Sequence, residues 1–306
     1  MLKHLLVILD TGKVIDYVLA HAARVAGSMR ARVTLLRLLD QPAGKSRFVD
    51  PVDWHIRKME ADAGLNEISQ DLRKKGLQVQ IAILEGRNPE HVLQYAQAHE
   101  VDLIILAAQT EGVSDLLHSL MKRTRIPLLL LRADGKTAET AACYQKILVP
   151  LDGSQRAEVT LPLVATFAQN CAAQIILAHV IHKPEMPRRA PPPPEDAELI
   201  ERIIESNRIE AVRYLEQIAA RLPGEVETRL LINDSVAAAL HGLVDQEGID
   251  LIVLSAHGYS GTPQWPYGSV TNSLIAYSRT PVLIVQDLPS SDTANTEAVA
   301  RSGKVR

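Results

Sequence analysis

Residues 4–10 read HLLVILD, and residues 146–152 read KILVPLD. Both stretches are short, apolar and closed by an aspartate, which is typical of a buried strand that ends at a polar turn. The similarity continues along the chain, because residues 76–109 align without a gap on residues 224–257. The sequence therefore predicts two homologous halves in tandem.

Each half alternates short β-rich apolar runs with longer amphipathic stretches. In the second half the predicted strands are residues 146–151, 174–181, 226–232, 250–255 and 281–286. Helical spacing of apolar residues predicts helices at 156–169, 200–222 and 269–279. This alternation indicates a parallel sheet with helices on both faces. We expect two tandem α/β domains, each a doubly wound, five-stranded parallel sheet of the Rossmann-like type.

Composition narrows the class of function. The chain has 306 residues, of which 46% are hydrophobic and 23% charged, with a formal net charge of −3. Such a balance predicts a globular protein that binds neither nucleic acid nor an anionic membrane. The start MLKHLLVILDTGK resembles a strand rather than a signal peptide or a membrane span. The only cysteines, Cys143 and Cys171, are too few and too badly spaced for a metal cluster or a disulfide framework, which favours a reducing cytoplasm.

Residues 255–273 read SAHGYSGTPQWPYGSVTNS and contain three glycines and two prolines. His257 and Gly258 follow a predicted buried strand, at the sheet edge where ligands bind in doubly wound folds. A side chain at Gly258 would collide with a phosphate approaching the backbone. Gly268 and Ser269 open the next helix, whose free amides attract an anion, and the serine hydroxyl can cap the helix or bond a phosphate oxygen. The alternative is a tight loop and a capped helix without ligand.

From residue 146 to residue 286 the chain resembles a universal stress protein domain. ATP-binding members of that family carry Gly, two residues, Gly, nine residues and Gly-Ser or Gly-Thr. Here Ser255, Gly258 and Gly268-Ser269 keep that spacing, with serine in place of the first glycine. The resemblance implies an adenine nucleotide alpha hydrolase-like fold and a site for ATP or ADP, with or without Mg²⁺.

The resemblance also implies contacts from the first two strands of this half. Asp152 matches the family's acidic residue near the nucleoside, and Val180 matches the position whose backbone meets the adenine edge. Asp152 could instead cap the helix that begins near Gln155. The candidate binding residues are Pro150, Asp152, Val180, Leu254, Ser255, His257, Gly258, Gly268, Ser269 and Val270. We expect no metal site and no catalytic residue.

The first half lacks this pattern. It has Ile8 where the second half has Pro150, and its segment after the fourth strand is shorter and has no Gly-Ser. The positions of Ser255, His257 and Gly258 are taken by Ala107, Gln109 and Thr110. We therefore expect a domain without a nucleotide site at 1–135, a domain with an ATP site at 144–288 and a disordered tail at 289–306.

Family members commonly dimerise through their last strands, so the resemblance implies that the two halves pair internally. The expected seam lies between residues 128–131 and residues 282–285. A further homodimer or protein partner stays open. Residues 183–196, KPEMPRRAPPPPED, must be extended because four consecutive prolines favour polyproline geometry. This segment could be a lid, a surface excursion or a docking site for a partner.

Two classes of function fit these observations. In the first, the protein is a cytoplasmic stress-response regulator with one ATP or ADP site in the second half. Hydrolysis would be slow at most, because His257 is the nearest candidate base and is better suited to bonding phosphate. In the second, the protein is a scaffold of the same fold that binds no nucleotide. A true ATP-cleaving enzyme is a third, weaker alternative.

Overall fold

The computed structural model describes residues 2–9, 15–39, 51–86, 88–108, 115–132, 143–182, 194–259 and 267–286. Several sequence predictions lie outside these residues. They concern Asp10, the positions of Gln109 and Thr110, the linker 133–142, the prolines at 191–193, the glycine-rich arch at 260–266 and the tail at 289–306.

The first half contains five strands and four helices within the described residues. The strands are β1 (His4–Leu9), β2 (Arg32–Leu39), β3 (Val79–Glu85), β4 (Leu103–Ala107) and β5 (Leu128–Leu131). The helices are α1 (Ile15–Met29), α2 (Pro51–Lys74), α3 (Pro89–Ala98) and α4 (Asp115–Arg123).

The second half repeats this order, with the short helix α5 in addition to those described in the first half. Its strands are β6 (Lys146–Pro150), β7 (Gln174–Ile181), β8 (Val226–Ile232), β9 (Leu251–Ser255) and β10 (Val282–Val285). Its helices are α5 (Gln155–Glu158), α6 (Leu161–Cys171), α7 (Pro194–Ala219), α8 (Val236–Glu247) and α9 (Ser269–Tyr277). No helix in the described ranges is both long and apolar enough to cross a bilayer.

The ten described strands form one sheet with the order β3-β2-β1-β4-β5-β10-β9-β6-β7-β8. Within each half all neighbouring strands are parallel. The strand order reverses direction between β1 and β4 and again between β6 and β9, as in doubly wound folds. The predicted fold class is therefore confirmed.

The two halves join where β5 meets β10. This pair is antiparallel, with Leu128 opposite Ile284, Leu129 opposite Leu283 and Leu130 opposite Val282. The predicted seam is confirmed. Because β10 runs against β5, the carboxyl ends of the strands in the two halves lie at opposite edges of the sheet.

Alternation along the strands sends side chains into two apolar layers, one on each face of the sheet. Leu129 and Leu283 belong to the same layer as Leu5 of β1, and Leu130 and Val282 belong to the other. Each layer contains residues of both halves, so the core runs across the seam without a break.

Tyr144 makes a second contact between the halves. Its side chain is 1% exposed and packs on Phe167 of α6, and its hydroxyl lies 2.8 Å from Nδ1 of His21 on α1. The guanidinium of Arg24 lies 4.9 Å from the centre of the Tyr144 ring, within cation–π range. Burial, with a smaller contribution from Arg24, lowers the pKa of His21 to about 4.

Two helix predictions need correction. The long helix of the second half begins at Pro194 rather than at residue 200, so the extended proline segment cannot continue to residue 196. Proline is favoured in the first turn of a helix, where its missing N–H would have no partner. The helix predicted at 156–169 is two helices, because a new helix starts at Leu161 with Pro162 in its first turn.

The cysteine prediction is also corrected. Cys143 and Cys171 form a disulfide, with Cα atoms 5.5 Å apart. The two residues are 28 positions apart in sequence, so their contact could not be predicted from spacing. The chain passes through β6, α5 and α6 between them, and the end of α6 packs beside the segment that precedes β6. The bond ties the segment before β6 to the end of α6, and the cysteines no longer support a reducing compartment.

Shortening a seam residue should destabilise the whole chain. We expect Leu129→Ala to lower the free energy of unfolding in urea by about 2–5 kcal/mol, because Leu129 is fully buried in a layer shared by both halves. Leu199→Ala, on an exposed face of α7, should change it by less than about 0.5 kcal/mol. Two separate transitions, with only one affected by Leu129→Ala, would contradict a shared core.

The disulfide should make the stability of the protein depend on whether a reductant is present. Cys171→Ser should lower the free energy of unfolding by roughly 2–4 kcal/mol without reductant, since the bond closes a long loop in the unfolded chain. In dithiothreitol the variant and the parent should be equally stable. If both thiols react with a thiol reagent in unreduced, denatured protein, the bond is absent.

Candidate functional site

A cavity of about 310 Å³ lies at the carboxyl edge of the second half's strands. It opens beside β6 and β9, where the strand order changes direction. Doubly wound sheets bind ligands at this place, and the volume is at the lower end of the range for small-molecule sites.

Nine of the ten candidate binding residues line this cavity. They are Pro150, Asp152, Val180, Leu254, Ser255, Gly258, Gly268, Ser269 and Val270. His257 does not lie among the lining residues, and its side chain is 7% exposed. The side chain that the sequence offered as a base or a phosphate ligand is therefore buried beside the cavity rather than in its wall.

The carboxylate of Asp152 joins the two loops that border the cavity. Its Oδ1 accepts hydrogen bonds from the amide and the hydroxyl of Ser154, at 3.0 and 2.6 Å. Its Oδ2 accepts the amide of Tyr259 at 2.5 Å, after β9. Ser154, not Asp152, caps α5, because its hydroxyl accepts the amide of Ala157. Asp152 thus stabilises a turn and also holds the β9 loop.

The space beside the Cα of Gly258 is occupied by another side chain of the protein. A Cβ built at this position would overlap Oδ2 of Asp152 and lie 3.3 Å from its Cγ. The sequence suggested that this glycine clears room for a phosphate. In the structure the carboxylate of Asp152 fills that room, so a side chain at position 258 would have to displace it.

Ser255, the departure from the family's glycine, is accommodated by the local backbone. Its side chain is 7% exposed, and its hydroxyl donates to the carbonyl of His257 at 2.5 Å. Its carbonyl accepts the hydroxyl of Thr271 at 3.1 Å, which ties the first turn of α9 to β9. The hydroxyl is therefore already engaged, although the residue lines the cavity.

The start of α9 forms another wall of the cavity. Gly268 is the N-cap, with φ −73° and no side-chain cap, and its amide donates to the carbonyl of Ala256 at 2.8 Å. The hydroxyl of Ser269 thus does not cap the helix. Amides in the first turn of a helix have no partner within the helix, and together with the helix dipole they favour an anion.

Sequence reasoning missed the wall formed by α8. Val236 and Leu240 lie one turn apart in α8 and line the cavity together with Ala178 of β7 and the exposed Tyr259. The sequence contained an indication of this wall, because α8 begins at the same sheet edge and carries two apolar residues in its first turns. The apolar wall and the backbone donors of α9 give the cavity two chemically different sides.

The equivalent helix of the first half begins differently. The helices α4 and α9 have the same length, and Asp115 of α4 takes the place of Ser269 of α9. A carboxylate in the first turn occupies the positive end of the helix dipole and would repel a phosphate. Among the described residues, no three His, Cys, Asp or Glu side chains converge to form a metal site.

Comparison with known proteins now places the chain in a family. The model of the universal stress protein family matches residues 1–132 and 144–286, which together make up most of the chain. The chain belongs to the universal stress protein family. It is a tandem member, because the family model matches each half separately.

Individual relatives agree with this assignment. Universal stress protein MJ0577 of Methanocaldococcus jannaschii is 28% identical over 159 residues, which cover 47% of this chain and 95% of the relative. Two solved structures share the tandem fold over nearly the whole chain. A Pseudomonas aeruginosa protein of unknown function, PA1789, has a TM-score of 0.65 at 15% identity and 98% coverage of both chains. A universal stress protein from Archaeoglobus fulgidus has a TM-score of 0.64 at 13% identity, with coverage of 92% and 96%.

The close approach of Gly258 to Asp152 can be tested by mutation. We expect Gly258→Ala to lower the free energy of unfolding by about 1–3 kcal/mol, because the added methyl group must displace the hydrogen-bonded carboxylate. Gly27→Ala in α1, where nothing lies within 4 Å of the added Cβ, should be neutral or stabilising. Equal stability of Gly258→Ala and the parent in urea titrations would show that the carboxylate moves away freely.

Proposed function

We propose that this universal stress protein binds one ATP or ADP per chain, in the cavity of the second half, and acts in the cytoplasm as a stress-response regulator. The observation that carries the proposal is that the residues of the family's glycine motif line a cavity at the start of α9. Gly258, Gly268 and Ser269 come together around that cavity although nine residues separate Gly258 from Gly268 in sequence.

Each side of the cavity suits a different part of the nucleotide. Val180, Val236 and Leu240 offer an apolar wall for a base. The uncapped first turn of α9 offers amide donors for phosphate oxygens, with or without a bound Mg²⁺. A carboxylate has about four acceptor positions, and the described residues occupy three of those of Asp152, so we assign the fourth to a ribose hydroxyl.

Binding rather than catalysis is the activity that we propose, with hydrolysis slow at most. A general base must come within hydrogen-bonding reach of the proton that it removes. His257 was the nearest candidate from sequence, but it is buried outside the cavity wall.

A scaffold without nucleotide is the second candidate, and one observation favours it. The polar side chains at the strand ends are engaged within the protein, Asp152 with Ser154 and Tyr259, and Ser255 with the carbonyl of His257. A cavity whose polar groups are already satisfied can persist without ligand. In that case the protein would act through its surfaces.

A single substitution distinguishes the two candidates. A Cβ at Gly268 would meet no atom of the described residues closer than 3.8 Å, so Gly268→Val should fold while its side chain occupies the space beside the α9 amides. We expect ATP titration calorimetry to give about one site per chain for the parent and no measurable binding for Gly268→Val. Circular dichroism and thermal unfolding verify that the variant is folded.

The matched control lies in the first half. Thr110→Val, at the counterpart of Gly258, should bind ATP as the parent does. Equal loss in Thr110→Val and Gly268→Val would contradict a single site in the second half. No nucleotide in the purified protein, and no heat with millimolar ATP, would favour the scaffold.

A further inference from the structure

Both ends of α9 contact side chains of the first half. At the start of the helix, the hydroxyl of Tyr267 lies 2.6 Å from Nε2 of His118 on α4, and the two rings are 5.5 Å apart. At the other end, the guanidinium of Arg132, directly after β5, donates to the carbonyl of Ala276. A helix of the second half is thus held at two points by the first.

The contact at Tyr267 is adjacent to the cavity. Tyr267 is bonded directly to Gly268, the N-cap of α9, and neighbouring Cα atoms are held about 3.8 Å apart. A displacement of Tyr267 therefore moves the amides that line the cavity. Burial raises the pKa of Tyr267, so its hydroxyl keeps its proton and can hydrogen-bond to His118.

The counterpart positions in the repeat carry different residues. When α4 is aligned with α9, the counterpart of Tyr267 is Val113 and the counterpart of His118 is Asn272. Valine has no polar group that could bond to Asn272. The counterpart of Arg132 is Gln286, whose buried amide atoms have no hydrogen-bond partner among the described residues. Among the described residues, the contacts made by Tyr267 and Arg132 are therefore not repeated at their counterpart positions.

We propose that the first half positions the nucleotide site of the second half: His118, acting through Tyr267, fixes the start of α9, and Arg132 fixes its end. His118 is thus a positioning residue that does not itself touch the ligand. The proposal rests on the nucleotide site proposed above. In this proposal the first half, which lacks the glycine pattern, sets the affinity of the second half for nucleotide.

Nucleotide titration of full-length variants tests the proposal. Tyr267→Phe removes one oxygen and His118→Ala removes the imidazole, and each should weaken ATP binding on the order of threefold to tenfold. The double variant should be no weaker than either single variant, because both remove the same contact. His118→Gln keeps a group that can bond to the hydroxyl and should restore most of the affinity. His55→Ala, on the exposed face of α2, is the matched control and should bind as the parent does.

Hydrogen exchange of the free protein gives a readout that needs no nucleotide. In Tyr267→Phe and His118→Ala, the amides of residues 269–272 should exchange faster than in the parent, and those of β9 should not change. If the parent binds ATP and both variants bind equally well with unchanged exchange, the contact is an ordinary interface and the inference is overturned. If the parent binds no ATP, the proposed function fails; faster exchange at α9 would then still support positioning by His118, and unchanged exchange would overturn it.

Discussion

The antiparallel pair of β5 and β10 is the contact on which the rest of the structure depends. Each half alone would present its last strand as an open edge with unpaired N–H and C=O groups. Pairing the two edges satisfies these groups and continues both apolar layers from one half into the other. The same contact brings α4 and the end of β5 against α9, so the seam also determines which residues of the first half contact the two ends of that helix.

The two halves share a fold but differ at the start of one helix. Gly268 leaves the first turn of α9 uncapped and facing a cavity, whereas α4 starts with Asp115. Other details of the repeat are kept. Asp102 accepts the amides of Lys3 and His4, and Asp250, its counterpart, accepts those of Gln145 and Lys146. The two halves thus share the contact that starts their first strands and differ at the helix start that borders the cavity.

Local patterns predicted the strands well, because an apolar run is a property of neighbours in sequence. The candidate binding residues came in large part from the family resemblance, and nine of the ten line the cavity. Alternating apolar runs specified β6 to β10 to within about one residue at each end. The glycine spacing led to Gly258 and Gly268, which line the cavity. Contacts between distant segments were not predictable in this way. The Cys143–Cys171 bond, the α8 wall with Val236 and the burial of His257 all depend on how helices return to the sheet.

By itself, the sequence determined the tandem repeat, the parallel strands within each half and the family, since periodicity and motif spacing are properties of the chain. The family resemblance also predicted that the last strands of the two halves, β5 and β10, pair with each other. Only the tertiary structure decided that the carboxylate of Asp152 fills the space over Gly258 and that His118 reaches Tyr267. The physical reason is that both contacts join segments more than 100 residues apart, and their geometry is set by the packed sheet rather than by local preference.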